Sequence, residues 1–151
     1  MITLSVPGSI EYRDIAVRVI GGACKFVEAD DAEQFATEVV SAFSEAFNNI
    51  VLHGYRDIRA SGTPPGNIEV VIHHRAVDDA TRELTIAIKD HGRVFDPAQY
   101  VEPPDEMPER GMGLFIIRSF MDELRYQAGP PNVLTLVKRC RQGERKKSAP
   151  P

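Results

Sequence analysis

Residues 32–55 read AEQFATEVVSAFSEAFNNIVLHGY. At 100° per residue, Ala36, Val39, Val40, Phe43, Phe47, Ile50 and Val51 fall on one side of a helix. Glu38, Ser41, Glu45, Asn48 and Asn49 fall on the other. The spacing predicts one long amphipathic helix over Ala32–His53, started by the short carboxylates of Asp30-Asp31. Its apolar stripe must be covered, so the helix lies on a core. Glu45, Asn49 and His53 follow one another at four-residue steps on the polar side.

The elements on either side decide what that helix covers. Residues 2–7, ITLSVP, alternate like a short strand, and Ile10–Val27 has helical spacing weakened by Gly21-Gly22. Arg56–Asn67 is rich in turn residues and reads as a loop. Ile68–Ala76 and Glu83–Lys89 read as an antiparallel hairpin joined by a polar turn. Asp96–Arg110 holds four of the eleven prolines and reads as a long functional loop. Leu114–Leu124 returns to helical spacing, and Val133–Val137 closes the chain's regular structure as a strand. The expected fold class is an α+β two-layer sandwich: a mixed, mainly antiparallel sheet with helices covering one face.

At 151 residues the chain fits one domain. We read that domain over 1–140, with a basic, disordered tail over 141–151. The net charge of -4 argues against nucleic acid as a direct partner. No apolar run reaches the ~20 residues of a membrane helix, and the N-terminus lacks signal-peptide features, so a cytoplasmic location is expected. Cys24 and Cys140 lack metal-ligand spacing and read as free thiols.

Three polar motifs interrupt this apolar framework. On the long helix, the Asn49 amide oxygen suits Mg²⁺, which keeps several waters and bridges phosphates. Glu45, one turn away, could take a proton from an attacking hydroxyl. Alternatively, both residues are the solvated side of an amphipathic helix. Asp90-x-Gly92 ends an apolar strand, a costly place for an unpaired carboxylate. That carboxylate suits the exocyclic amino group of adenine, and Gly92 would let the base approach; an ordinary Asp-x-Gly turn is the alternative. Gly111-x-Gly113 precedes a helix, where backbone N–H groups can face phosphates, or where glycines merely start the helix. Arg110 stands next to it and could reach a terminal phosphate.

SEAFNNIVLHGY, IAIKDHGRVFDP and ERGMGLFIIRSFMDEL resemble the N, G1 and G2 boxes of the GHKL ATPases. The likeness spans nearly residues 2–140 and is strongest to the anti-sigma-factor serine kinases of bacterial partner-switching systems. It implies the Bergerat ATP-binding fold. By that resemblance Asn49 ligates Mg²⁺, Asp90 binds the adenine amino group, and Gly92 shapes the base pocket. Gly111 and Gly113 hold phosphates, Asp96–Arg110 forms a lid, and Glu45 is the general base. The implied partners are a STAS-domain anti-anti-sigma protein as substrate, a sequestered sigma factor or other regulator, and a second copy in a homodimer. Departures are Val94, where the family often has glycine, and Asn132-Val133, where relatives carry a supporting threonine. Two other outputs fit the same motifs: an ATP-binding switch that sequesters a partner without phosphoryl transfer, and an isolated histidine-kinase catalytic domain.

Overall fold

The computed structural model describes residues 1–94 and 112–142. The expected lid, Asp96–Arg110, together with Gly111, lies outside them. Among the described residues five strands form one sheet: β1 (Ile2–Pro7), β2 (Asn67–Ala76), β3 (Thr81–Asp90), β4 (Glu123–Gln127) and β5 (Asn132–Arg141). Their order is β1-β2-β3-β5-β4, and every pairing is antiparallel, where a mixed sheet was expected. Four helices accompany them: α1 (Arg13–Cys24), α2 (Ala32–Asn49), α3 (Arg56–Ala60) and α4 (Met112–Phe120). The α+β sandwich expected from the periodicities is therefore present.

Alternation sorts each strand's residues between two faces. Ile68, Val70 and Ile72 of β2, Leu84, Ile86 and Ile88 of β3, and Leu134 and Leu136 of β5 are all buried. They meet Val39, Phe43 and Phe47 of α2, Ile20 of α1, and Leu114 and Ile117 of α4. The opposite face carries polar pairs: Lys89 with Glu69 at 2.9 Å, and Glu83 between Arg75 at 2.8 Å and Arg139 at 2.7 Å. Burial alone pushes the Glu83 carboxyl up, but the two guanidinium groups together outweigh it and hold it below the usual glutamate range.

Helix α2 is the central cover. Asp31 caps it, its carboxylate accepting from the Gln34 backbone N–H at 3.0 Å, as the paired aspartates predicted. It packs on α1 and α4, and Arg13 Nη1 donates to Asn48 Oδ1 at 3.1 Å. Past Asn49 the helix widens into a π-turn over Ile50–Gly54. Such turns insert a residue into a helix and recur at functional sites.

Two expected boundaries are corrected. The segment read as a loop from Arg56 begins with the short helix α3. The helix expected to run to Leu124 stops at Phe120, and Glu123–Gln127 is instead a strand beside β5. Leu124 also fits a two-residue alternation with Tyr126, which a helical reading that stops at Leu124 overlooks. Lys138 ends α4 by donating to the Phe120 carbonyl while pairing with Glu38 at 2.7 Å. At the far end, β5 continues through Arg141, and Gln142 Nε2 donates to the Val27 and Glu28 carbonyls at 3.2 Å. Those two residues belong to the folded body rather than to a tail. Both cysteines are free, and burial pushes the Cys24 thiol up to about 11.

Candidate functional site

The hairpin and β5 together place Asp90. The β3–β5 register sets Asp90 opposite Asn132, continuing the core-facing row of Ile86–Leu136 and Ile88–Leu134. Asp90 is therefore aimed at the interior and only 3% exposed. Its Oδ1 accepts from the Gly92 backbone N–H at 2.9 Å and from Asn132 Nδ2 at 3.1 Å. Burial is the largest influence on this carboxyl and raises it above the ordinary aspartate range; the two hydrogen bonds pull against that rise.

The amide of Asn132, at the start of β5, ties the turn together. Nδ2 also donates to the Gly92 carbonyl at 3.0 Å, and Oδ1 accepts from the Gly129 N–H at 3.0 Å. The sequence marks Asn132 only as a departure; the pairing with Asp90 depends on the strand register.

The π-turn closes the other side. The Gly54 carbonyl accepts the Arg93 backbone N–H at 2.7 Å. A Cβ on Gly92 would meet that same carbonyl oxygen at 2.6 Å, so close backbone approach requires glycine there. Tyr55 is fully buried, and its hydroxyl accepts from the His91 N–H at 3.2 Å. These contacts pin the Asp90–Arg93 turn to the end of α2. No periodicity in the sequence signals them, because they join segments more than thirty residues apart.

Between these walls lies a cavity lined by Ala46, Asn49, Ile50, Asp90, Ile117 and Leu134, among others. About 400 Å³ of empty space lies within it, its open mouth included. Apolar walls with one buried carboxylate at the end are the make-up of a nucleobase pocket. The match to adenine is chemical: an ionised carboxylate only accepts, and adenine's amino group only donates at that position.

Helix α4 supplies the neighbouring wall. Gly113, near the start of that helix, lies on the polar face of α2. A Cβ there would stand 2.8 Å from Glu45 Oε2 and 3.6 Å from Asn49 Nδ2. Glu45, Asn49 and Gly113 are thus brought together beside the cavity, with Asn49 on its wall. Arg110 and Gly111, expected at the same place, lie outside the described residues. His53 falls in the π-turn and is exposed. Among the described residues no group of three or more His, Cys, Asp or Glu could hold a metal ion. A neutral amide beside one carboxylate matches a Mg²⁺ that takes its other ligands from phosphates and water. No helix is long and apolar enough to cross a membrane among the described residues.

Known proteins resemble this chain in sequence. The family model described as a histidine kinase-like ATPase domain matches residues 11–138. The chain is 32% identical over 118 residues to an anti-sigma F factor of Halalkalibacterium halodurans, covering 75% of this chain and 73% of that protein. It is 29% identical over 149 residues to the serine-protein kinase RsbW of Staphylococcus aureus, covering 91% and 85%. It is also similar to the serine/threonine-protein kinase BtrW of Bordetella bronchiseptica, 34% identical over 88 residues and 55% of each chain. With the motifs brought into one cavity and the family matched across most of its length, the chain belongs to the histidine kinase-like (GHKL) ATPases, in the branch of the anti-sigma-factor serine kinases.

Proposed function

We propose that this protein is an ATP- and Mg²⁺-dependent protein-serine kinase that also acts as an anti-sigma factor, phosphorylating a STAS-domain antagonist in a partner-switching circuit. The single observation that carries the reading is the convergence of Glu45, Asn49 and Gly113 beside the cavity that ends on Asp90.

The division of labour follows from the chemistry of each side chain. Asp90 accepts from the adenine amino group and rejects guanine, whose carbonyl would face the carboxylate. Gly92 keeps the turn low enough for the base to enter. Gly113 allows the start of α4 to face the nucleotide's phosphates with free backbone N–H groups. Asn49 would hold Mg²⁺ through its amide oxygen, and the ion would supply charge neutralisation on the phosphates. Glu45 accepts the proton of the substrate serine as its oxygen attacks the γ-phosphorus of ATP; the bond from that phosphorus to the β–γ bridging oxygen breaks and ADP leaves with the electron pair. Arg110 and Gly111 complete the phosphate contacts in this reading. Support for the partners comes from the relatives, whose names include an anti-sigma F factor and serine-protein kinases. A homodimer and a cytoplasmic location complete the proposal.

The test is phosphoryl transfer from labelled ATP, with Mg²⁺, to a STAS-domain partner encoded near this protein. Label is expected on a partner serine and should fall about 10²–10⁴-fold in Glu45→Gln, the usual contribution of a general base. Tight ATP binding with no transfer would leave the second reading, a nucleotide-gated binding switch. Label on a histidine would instead mark a histidine-kinase catalytic domain.

A further inference from the structure

The bond that closes the nucleobase cavity also builds a second compartment behind it. Arg93 N–H to the Gly54 carbonyl, 2.7 Å, draws the exit of β3 against the π-turn. Arg93 then stands beside His53, in that turn, and Arg56, the first residue of α3. These three residues and Val94 line an open cleft holding about 550 Å³ of empty space, its solvent-facing part included. Arg93 is common to both compartments: it lines the cleft on one side and the nucleobase cavity on the other.

Within the described residues, neither the Arg56 nor the Arg93 side chain has an ion-pair or hydrogen-bond partner. Several other arginines among the described residues are engaged: Arg13 with Asn48, Arg75 and Arg139 with Glu83, Arg125 with Glu123. Two unpartnered guanidinium groups therefore line one cleft in a chain of net charge -4. They match an oxyanion, because a guanidinium presents a planar fork of donors to phosphoryl or carboxylate oxygens.

We infer that the His53–Arg56–Arg93 cleft is an oxyanion-binding site contiguous with the nucleobase cavity. It lies at the opposite end of the polar row from Glu45. Eight residues separate Glu45 from His53, roughly 12 Å along the axis at helical rise. An anion held in the cleft is therefore distinct from a phosphoryl group poised at Glu45. Phosphoryl oxygens of a nucleotide bound in another pose and a separate phosphate or carboxylate group present the same chemistry to the two arginines.

The test uses the full chain and inorganic phosphate as the probe, followed by the NMR signals of the His53 ring and the two arginine side chains. Saturable shifts are expected in the wild type. Arg56→Ala/Arg93→Ala should bind phosphate at least tenfold more weakly, and Arg56→Lys/Arg93→Lys should lie between, keeping charge but losing the fork. Displacement of phosphate by ATP but not by adenosine identifies the nucleotide as the source of the oxyanion. Simultaneous binding of ATP and phosphate identifies a separate group. Absence of shifts in the wild type, or equal phosphate affinity in the double alanine variant, overturns the inference. Failure of the wild type to bind ATP while phosphate still titrates the cleft would overturn the kinase reading and leave this site standing.

Discussion

Burial raises the Asp90 carboxyl above the ordinary aspartate range, because ionising it beside the apolar row of Ile88 and Leu134 costs solvation. A group whose folded value is raised stabilises the fold fully below its unfolded value and loses that contribution as pH rises through the folded one. At neutral pH the charged Asp90 therefore opposes folding while serving ligand recognition. Asp90→Asn keeps an oxygen for the Gly92 and Asn132 donors but removes the charge. It should leave the ligand-free protein at least as stable at pH 7, with any gain vanishing in acid. ATP affinity should fall by about 1–3 kcal/mol, the range for a charge-assisted bond. Thermal unfolding against pH and calorimetric ATP titration check the two halves, and unchanged ATP affinity would misplace the base pocket. The Asp-x-Gly pair is legible in the sequence as a strand end. Its acceptance of the Asn132 amide is not, since forty-two positions separate the two residues.

Among the elements, α2 and α4 do the positioning, and Gly113 is the point where they meet. An alanine there would bring its Cβ to 2.8 Å of Glu45 Oε2. The neighbour is the far end of a flexible side chain, so it can swing aside, and the fold survives. Alanine also has a better helix propensity than glycine, by about 1 kcal/mol. Gly113→Ala should thus unfold at the same or a higher temperature while phosphoryl transfer drops by about 10² or more, through displacement of Glu45. Loss of stability together with activity would show that α4 cannot remain seated on α2. The helical period made α2 and most of α4 readable, down to the Asp31 cap. The end of α4 was not, because Leu124 satisfies both the helical stripe and an alternation with Tyr126. Pairing with β5 and the Lys138–Phe120 contact decide in favour of the strand.

For the whole molecule, the sheet's two faces carry different kinds of stabilisation. The inner face buries aliphatic and aromatic side chains; losing either fully buried Phe43 or Phe47 to alanine falls in the range of about 3–5 kcal/mol. The outer face joins β2, β3 and β5 through Glu83 and its two arginines. Because the folded Glu83 value is depressed, its contribution is present above the unfolded value and lost as pH falls through the folded one. Glu83→Gln should therefore lower stability by about 1–3 kcal/mol at pH 7. The difference from wild type should close in acid, below the usual glutamate range. Chemical denaturation at both pH values measures this, and a deficit that persists in acid would assign the effect to shape rather than charge.

Local periodicity and residue chemistry were enough to establish the α+β class, the hairpin, the long capped helix and the candidate ligands Glu45, Asn49, Asp90, Gly92 and Gly113. Those signals lie within a turn or two of chain, where spacing alone says which side chains share a face. Tertiary structure decided what lies between distant segments: Asn132 opposite Asp90, Gly54 against Gly92, Gly113 above Glu45, and Arg93 between two compartments. Strand register and a single π-turn set those approaches. Both depend on how the whole core closes, and no local stretch of sequence encodes that closure by itself.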